Sequence, residues 1–522
     1  MAEDKTQQHP HVNPWIIATS VMFSTFMEVL DTTVVNVSLP HISGSLSATI
    51  DEATWALTSY LVANAIVLPI TGWLANYLGR KRLLMMSVTG FTAASFLCGL
   101  SPNLPFLIAC RVIQGLCGGA LQPISQAVLL EAFAPEDRGK ALGFWGLGIV
   151  VAPILGPVLG GWLTDSYSWR WVFYINIPVG IASLIMTELF IFDPPYIRRS
   201  SSRIDYWGIG MLAVGIGALQ ILLDKGQEED WFESHAMTAL AVIAVAGLIA
   251  FVIRELMTSD PVVHLRVFKM RTYSTGVFLM TTLGFVLYGS LVLLPILLQT
   301  LLGYPALQAG IAMAPRGIGS FIAMPVIGII LAKYGARKLL ALGLAGGGLT
   351  LFWLGQLNLD AGYWDVCWPQ FYQGIALGFL FVPLTTITMD PIPKEEMGNA
   401  TSMFNLMRNL GGSMGIAATT TMLSRLQQKH INLLGADVNP FNPQAQALLN
   451  QLRYGFLARG SDAVTASRRA YGAAFGLVVR QASMISFVQI FRLLGLLFLL
   501  IMPLILIMKP PRTRRGEVSA GH

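Results

Sequence analysis

Apolar runs long enough to cross a bilayer recur from one end of the chain to the other. Fourteen can be drawn, at about residues 15–37, 54–75, 83–101, 104–128, 141–163, 171–192, 206–223, 236–253, 274–301, 308–332, 339–358, 367–389, 400–424 and 484–508. Each is close to the ~20 residues that a spanning helix needs. Helices are expected because hydrocarbon offers no partner to a free backbone amide or carbonyl. The alternation in ~10-residue units of a membrane barrel is not the pattern here. The predicted class is therefore an all-α integral membrane protein with fourteen transmembrane helices.

The polar positions between the runs give an orientation. With the N-terminus on the cytoplasmic side, the short segments on that side carry 21 Lys and Arg, against Arg170 and Lys225 alone on the other. Positively charged loops stay inside, so both termini are expected in the cytoplasm. Only 12% of residues are charged and 54% are hydrophobic, where a soluble chain carries ~25% charged residues. The excess of basic residues follows from topology and gives no reason to expect nucleic-acid binding. The polar start, MAEDKTQQHPHVNP, lacks the basic opening and small-residue cleavage site of a removable signal. Residues 425–483 form one long polar external segment, read either as a solvated cap or as a docking surface. Within it PQAQALLNQLRYGFLA suits an amphipathic helix.

GWLANYLGRKRLL (72–84) lies over GIILAKYGARKLL (328–340), with Gly at the first and eighth positions and a basic pair at the tenth and eleventh. Gln114-Gly115 then falls on Gln373-Gly374, and Gly119 on Gly378. Two six-helix halves follow, an architecture in which substrates bind near the midplane. The expected layout is an N-terminal tail (1–14), a first bundle (15–192), a linker with two extra helices (193–272), a second bundle (273–508, including 425–483) and a C-terminal tail (509–522).

A charge at mid-bilayer costs ~3 kcal/mol or more, so it faces a cavity or a partner. Arg111, Arg316, Arg408 and Arg492 are the basic residues left within spans, Arg492 near enough to an end to snorkel. Glu28 and Asp31 are the acids of the first span. Spacing of three puts them on neighbouring parts of one helix face. Two carboxyls so placed raise each other's proton affinity, which suits proton loading; a permanent structural pair with an arginine is the other reading. Asn36, Asn64, Gln126, Tyr288 and Gln373, with Arg316 and Arg408, are candidates for a mostly apolar substrate cavity. Helix–helix hydrogen bonds explain the polar ones equally well. No P-loop, H-E-x-x-H or G-x-S-x-G motif occurs, and no C-x-x-C pair, so an enzyme, a resident cofactor and a zinc site are not expected.

Several stretches resemble the major facilitator superfamily. GWLANYLGRKR resembles its loop 2–3 signature, with Gly72, Gly79, Arg80 and Arg82 in motif positions. RVIQGLCGGA (111–120) resembles the fourth-span signature, and GIVVAPILGPVLGG (148–161), with Gly156 and Pro157, the fifth-span signature of antiporters. LDTTVVNVSLP (30–40) and WRWVFYINIPVG (169–180) are similar to motifs of the fourteen-span drug:proton antiporters. LQILLDKGQEEDWF, WPQFYQG, PLTTIT and NPFNPQAQAL resemble the EmrB-like branch. The resemblance covers nearly the whole chain. It implies a proton-driven exporter of amphiphilic drugs in the inner membrane of a Gram-negative bacterium, with protons as coupling ion. The partners it implies are an EmrA-like periplasmic adaptor and a TolC-like outer-membrane channel. It also implies that Asp31 couples protons and that Arg111 is the fourth-span arginine. One departure stands out: Asn76 and Tyr77 occupy places where the loop signature carries an acid and often a base. The conformational latch is then expected to be weaker, or to rest on helix-dipole contacts of Arg80 and Arg82. Alternatives are a proton-coupled exporter of a metabolite or of fatty or bile acid anions, and a passive channel.

Overall fold

The structure, a computed structural model, describes residues 13–193, 205–258 and 261–508. Most of the two predicted tails and the basic residues Arg198, Arg199 and Arg203 lie outside the described residues. Seventeen α-helices follow in order, with no strand among the described residues. They are α1 (Pro14–Ser45), α2 (Ile50–Leu78), α3 (Arg80–Gly99), α4 (Leu104–Gly118), α5 (Leu121–Ala132), α6 (Arg138–Ser166), α7 (Trp171–Tyr174), α8 (Asn176–Phe190), α9 (Tyr206–Lys225), α10 (His235–Met257), α11 (Arg271–Ile296), α12 (Ala306–Tyr334), α13 (Ala336–Leu354), α14 (Tyr363–Met389), α15 (Met397–Ala436), α16 (Pro443–Ala458) and α17 (Ala463–Ile501).

Each of the fourteen apolar runs falls on one of these helices or on a consecutive pair. Ten segments among the described residues are long and apolar enough to cross a membrane, or eleven when the bent α6 counts as one span. Three helices that carry apolar runs, α1, α13 and α15, fall outside that count, and the polar-rich α1 and α15 do so for a physical reason. Their Ser, Thr, Asn and charged side chains are buried against other helices, so bundle packing and not hydrocarbon receives them. The lipid-like face is plainest on α10, where Val242, Val245, Ile249, Ile253, Leu256 and Met257 are all exposed.

Residues 425–483 differ from the expected polar loop. α15 runs on to Ala436, α17 already begins at Ala463, and only a short stretch around α16 connects them. Apolarity decides where a helix meets hydrocarbon, whereas helix propensity decides where it stops, and SRLQQKHINLLGA holds no proline, with its one glycine, Gly435, at the very end of α15. α16 is capped by Asn442, whose side chain accepts from the Gln444 amide at 3.0 Å.

The sequence repeat has a counterpart in geometry. Gly79 and Gly335 have φ of +88° and +80°, the left-handed region that glycine tolerates, and each breaks one helix into the next. Gly72 and Gly328 are the crossing points between the halves. A Cβ on Gly72 would sit 2.5 Å from Asn399 Cα on α15, and one on Gly328 2.6 Å from the Gly139 carbonyl on α6. Both crossings lie toward the ends of the helices that carry the basic loops. The inserted pair α9–α10 leans on both halves. The Asp224 carboxylate accepts from the Thr58 hydroxyl of α2. Gln220 donates to Ser413 of α15 at 2.8 Å.

Candidate functional site: a split pair of carboxylates

α1 starts cleanly, with Pro14 in its first turn and the Asn13 side chain accepting from the Trp15 amide at 3.0 Å. It then carries Glu28 and Asp31 through the bundle. Three residues correspond to ~60° of rotation about a helix axis, and that angle separates the two acids into different surroundings.

Asp31 points into the first half and is sealed from solvent, as is Arg111. Arg111 Nη1 donates to Asp31 Oδ2 at 2.5 Å. Asp31 Oδ1 accepts from Gln114 Nε2 at 3.0 Å and from Asn176 Nδ2 at 2.7 Å. Arg111 is fixed in turn by the Ala56 carbonyl at 2.8 Å and by Gln114 Oε1 at 2.8 Å. The Tyr60 ring covers the guanidinium at 4.3 Å, and Asn176 also donates to Ser95 Oγ at 3.0 Å. α1, α2, α3, α4 and α8 thus meet at one ion pair. A carboxylate with three donors and a guanidinium with fixed acceptors compensate each other's burial.

Glu28 faces the seam between the halves. Its Oε1 accepts from Asn64 Nδ2 at 3.0 Å, while Oε2 is buried without a hydrogen-bond partner. Arg408, on α15 of the other half, acts on it electrostatically, and Gln122 lies within reach. Arg408 Nη2 donates to Gln122 Oε1. Beside it, Asn405 donates to Gln126 Oε1 at 2.6 Å, and Thr401 to the Pro123 carbonyl at 3.1 Å. The expected single acidic face is therefore two sites, one locked within a half and one between halves.

The other expected residues are dispersed. Asn36 is exposed. Tyr288 is half-buried against Gly412. Gln373 accepts from Gln370 at 3.2 Å. Gly156 packs against Thr33 of α1, and Pro157 lies within α6. Arg316 is buried on α12.

At the α2–α3 corner, Arg82 is exposed and Tyr77 stacks on Trp73 at 5.3 Å. Arg80 is buried and pairs with Glu131 of α5. The Lys81 amide donates to Asp193 Oδ1 at 2.8 Å. Carboxylates from α5 and from the end of α8 thus meet the basic corner that lacks an acid at Asn76, in place of helix-dipole contacts alone. Reading by motif missed Glu131, Asp193, Asn176 and Gln122. Of the Asp31 ligands, Arg111 was conspicuous as a charge within a span and Gln114 through its place in the repeat, whereas Asn176, although inside WRWVFYINIPVG, was not singled out.

The sequence model of the Major Facilitator Superfamily matches residues 21–416. Over 97% of its length the chain is 39% identical to the "Multidrug export protein EmrB" of Escherichia coli K12, covering 98% of that protein. It is 37% identical over 97% of its length to the "Fatty acid resistance protein FarB" of Neisseria gonorrhoeae, covering 97% of it. The solved structure of the human organic anion transporter MFSD10 superposes with a TM-score of 0.62 at 14% identity, across 95% of this chain and 100% of that one. Match, identity and fold agree: the chain is a multi-pass membrane protein and belongs to the major facilitator superfamily.

Proposed function

We propose that the chain is a proton-driven exporter of amphiphilic drugs in the inner membrane of a Gram-negative bacterium, with both termini cytoplasmic. Likeness to a multidrug export protein along almost the whole chain supports drug export. The observation that carries the coupling mechanism is the unpartnered Glu28 oxygen in the seam between the halves. A carboxyl there is neutral when protonated and a charge met only in part, by Asn64 and by Arg408 across the seam, when not, so its protonation biases how the halves sit together. The Asp31–Arg111 pair holds the first half as a unit and exchanges partners when Asp31 takes up a proton. Drug enters with the cavity open to the cytoplasm, the halves rock, and a proton from outside resets the carrier. A potential of 100 mV supplies ~2.3 kcal/mol per charge moved, and one pH unit adds ~1.4 kcal/mol per proton. One proton therefore sustains a drug gradient of tenfold or more. An EmrA-like adaptor and a TolC-like channel would carry the drug onward, with α16 and the extended ends of α15 and α17 as the surface offered to the adaptor.

A second reading, export of anionic amphiphiles, is favoured by the likeness to a fatty acid resistance protein. The test is efflux of a cationic dye from proteoliposomes under an imposed pH gradient, comparing wild type with Glu28→Gln. The glutamine retains an acceptor for Asn64 but cannot carry the proton. Gradient-driven efflux is expected to be lost while dye exchange between the two faces persists. Full gradient-driven efflux by the variant removes Glu28 from the coupling role.

A further inference from the structure

Every other arginine within the spans has a partner. Arg111 has Asp31, Arg408 has Gln122, and Arg492 donates to the Gly355 carbonyl at 2.8 Å. Arg316 is 8% exposed, and among the described residues no side-chain hydrogen bond or charge partner acts on it. It stands ten residues into α12 and eighteen from its end, about 15 Å and 27 Å deep at 1.5 Å per residue, too far for easy snorkelling. Nor does it face lipid. Ile311, Ile318, Ile322 and Ile329 form the exposed stripe of α12. Arg316 is about 140° around the helix from that stripe.

No internal carboxylate is available to it. Among helices α11 to α17 the sole acid is Asp365, exposed in the first turn of α14 and bonded to the Gly362 amide. The repeat sharpens the contrast. The offset that lays Gly72 on Gly328 lays Tyr60 on Arg316. Gly115 packs on the Tyr60 carbonyl as Gly374 packs on the Arg316 carbonyl. In the first half, Tyr60 covers an arginine already paired with Asp31. In the second half the cation sits on α12 itself, Gln370 stands where Arg111 stands, and the acid is gone. Gln370 is buried, and its Oε1 also lacks a partner.

A guanidinium held within the bundle with no protein carboxylate or acceptor beside it among the described residues is costly unless an anion completes it. We infer that Arg316 is the head-group site for anionic amphiphiles: the guanidinium takes a carboxylate or sulfonate, Gln370 and Gln373 line the same stretch, and the apolar tail lies along the helices. This deepens the exporter reading and rests on it. It assigns negatively charged cargo to the second half, opposite the acids of the first.

The experiment uses the full chain in phosphatidylcholine vesicles under a pH gradient. The probes are decanesulfonate and decyltrimethylammonium, with equal tails and permanent opposite charges. Wild-type export of the cationic probe checks the exporter reading separately. Arg316→Gln is expected to raise the KM for decanesulfonate at least tenfold and to weaken its equilibrium binding in detergent. The KM and kcat for decyltrimethylammonium should stay unchanged, and Arg316→Lys should recover part of the loss. The inference is overturned if the decanesulfonate KM is unaffected, if both probes are lost together, or if the effect appears only when anionic phosphatidylglycerol is added. The last result would assign the site to a lipid head group.

Discussion

Replacing Asp31 by Asn tests whether the first half is clamped by one ion pair. Asp31 accepts one bond from Arg111 and two from the amides of Gln114 and Asn176, with both charges sealed from water. Asparagine keeps a single acceptor oxygen and brings N–H groups toward donors that have nowhere to turn. Removing one partner of a buried pair costs ~3–5 kcal/mol, well above the ~1 kcal/mol of a neutral hydrogen bond. Arg111 keeps the Ala56 carbonyl and Gln114 Oε1, so the lower end, ~3 kcal/mol, is expected. The assay is unfolding of the purified protein in detergent, with Asp31→Leu, Arg111→Met and the double variant completing a cycle. Swapping a buried pair for apolar side chains is often close to neutral, so the double variant should recover at least half of the single-variant losses. The coupling between the sites should be ~2 kcal/mol or more. If Asp31 also takes up protons in the cycle, transport stays lost in the double variant although stability returns. Asp31→Asn as stable as wild type, or strictly additive losses in the cycle, would refute the clamp.

Other expectations follow from local geometry. Gly72→Val and Gly328→Val place carbons where Asn399 Cα and the Gly139 carbonyl already are. Both should hold the halves apart at the basic-loop end, slowing transport severalfold and raising cysteine labelling at that crossing; unchanged labelling would contradict the crossing-point role. At the start of α9, burial raises the Asp205 carboxyl but is outweighed by Arg254 and the Gly208 amide, so its pKa lies below the ordinary range. Its folded value is depressed, so this stabilisation is complete above the usual aspartate range and fades as pH falls through the lowered value. Near neutral pH the Asp205 contribution should therefore be full and independent of pH, so Asp205→Asn should be less stable than wild type there, and the difference should shrink across an acid titration. Ser413→Ala removes the bonds between α15 and Gln220 at 2.8 and 3.2 Å. It should cost about 0.6 kcal/mol, as interhelical membrane hydrogen bonds do, and a larger loss in unfolding would mark the inserted pair as a stronger tie between the halves.

The amino-acid order by itself determined that this is a helical membrane protein of two repeated halves, because apolar length and glycine spacing are local properties. Gly79 and Gly335 were legible for that reason: a left-handed corner needs glycine wherever it occurs. It also singled out Glu28, Asp31, Arg111, Arg316 and Arg408, since a charge in an apolar run is conspicuous without knowing its neighbours. What it left open was who answers each charge. Asn176, Gln122 and Glu131 lie far from their partners along the chain, on helices whose polar residues look ordinary alone. Only the packing of α1 against α2, α4 and α8 separated Asp31, fully met, from Glu28, half met. Only the packing of α12 on α14 left Arg316 without a carboxylate. Hydrophobic pattern is additive along a chain, but the cost of a buried charge depends on every atom around it, and those atoms are assembled by the tertiary structure.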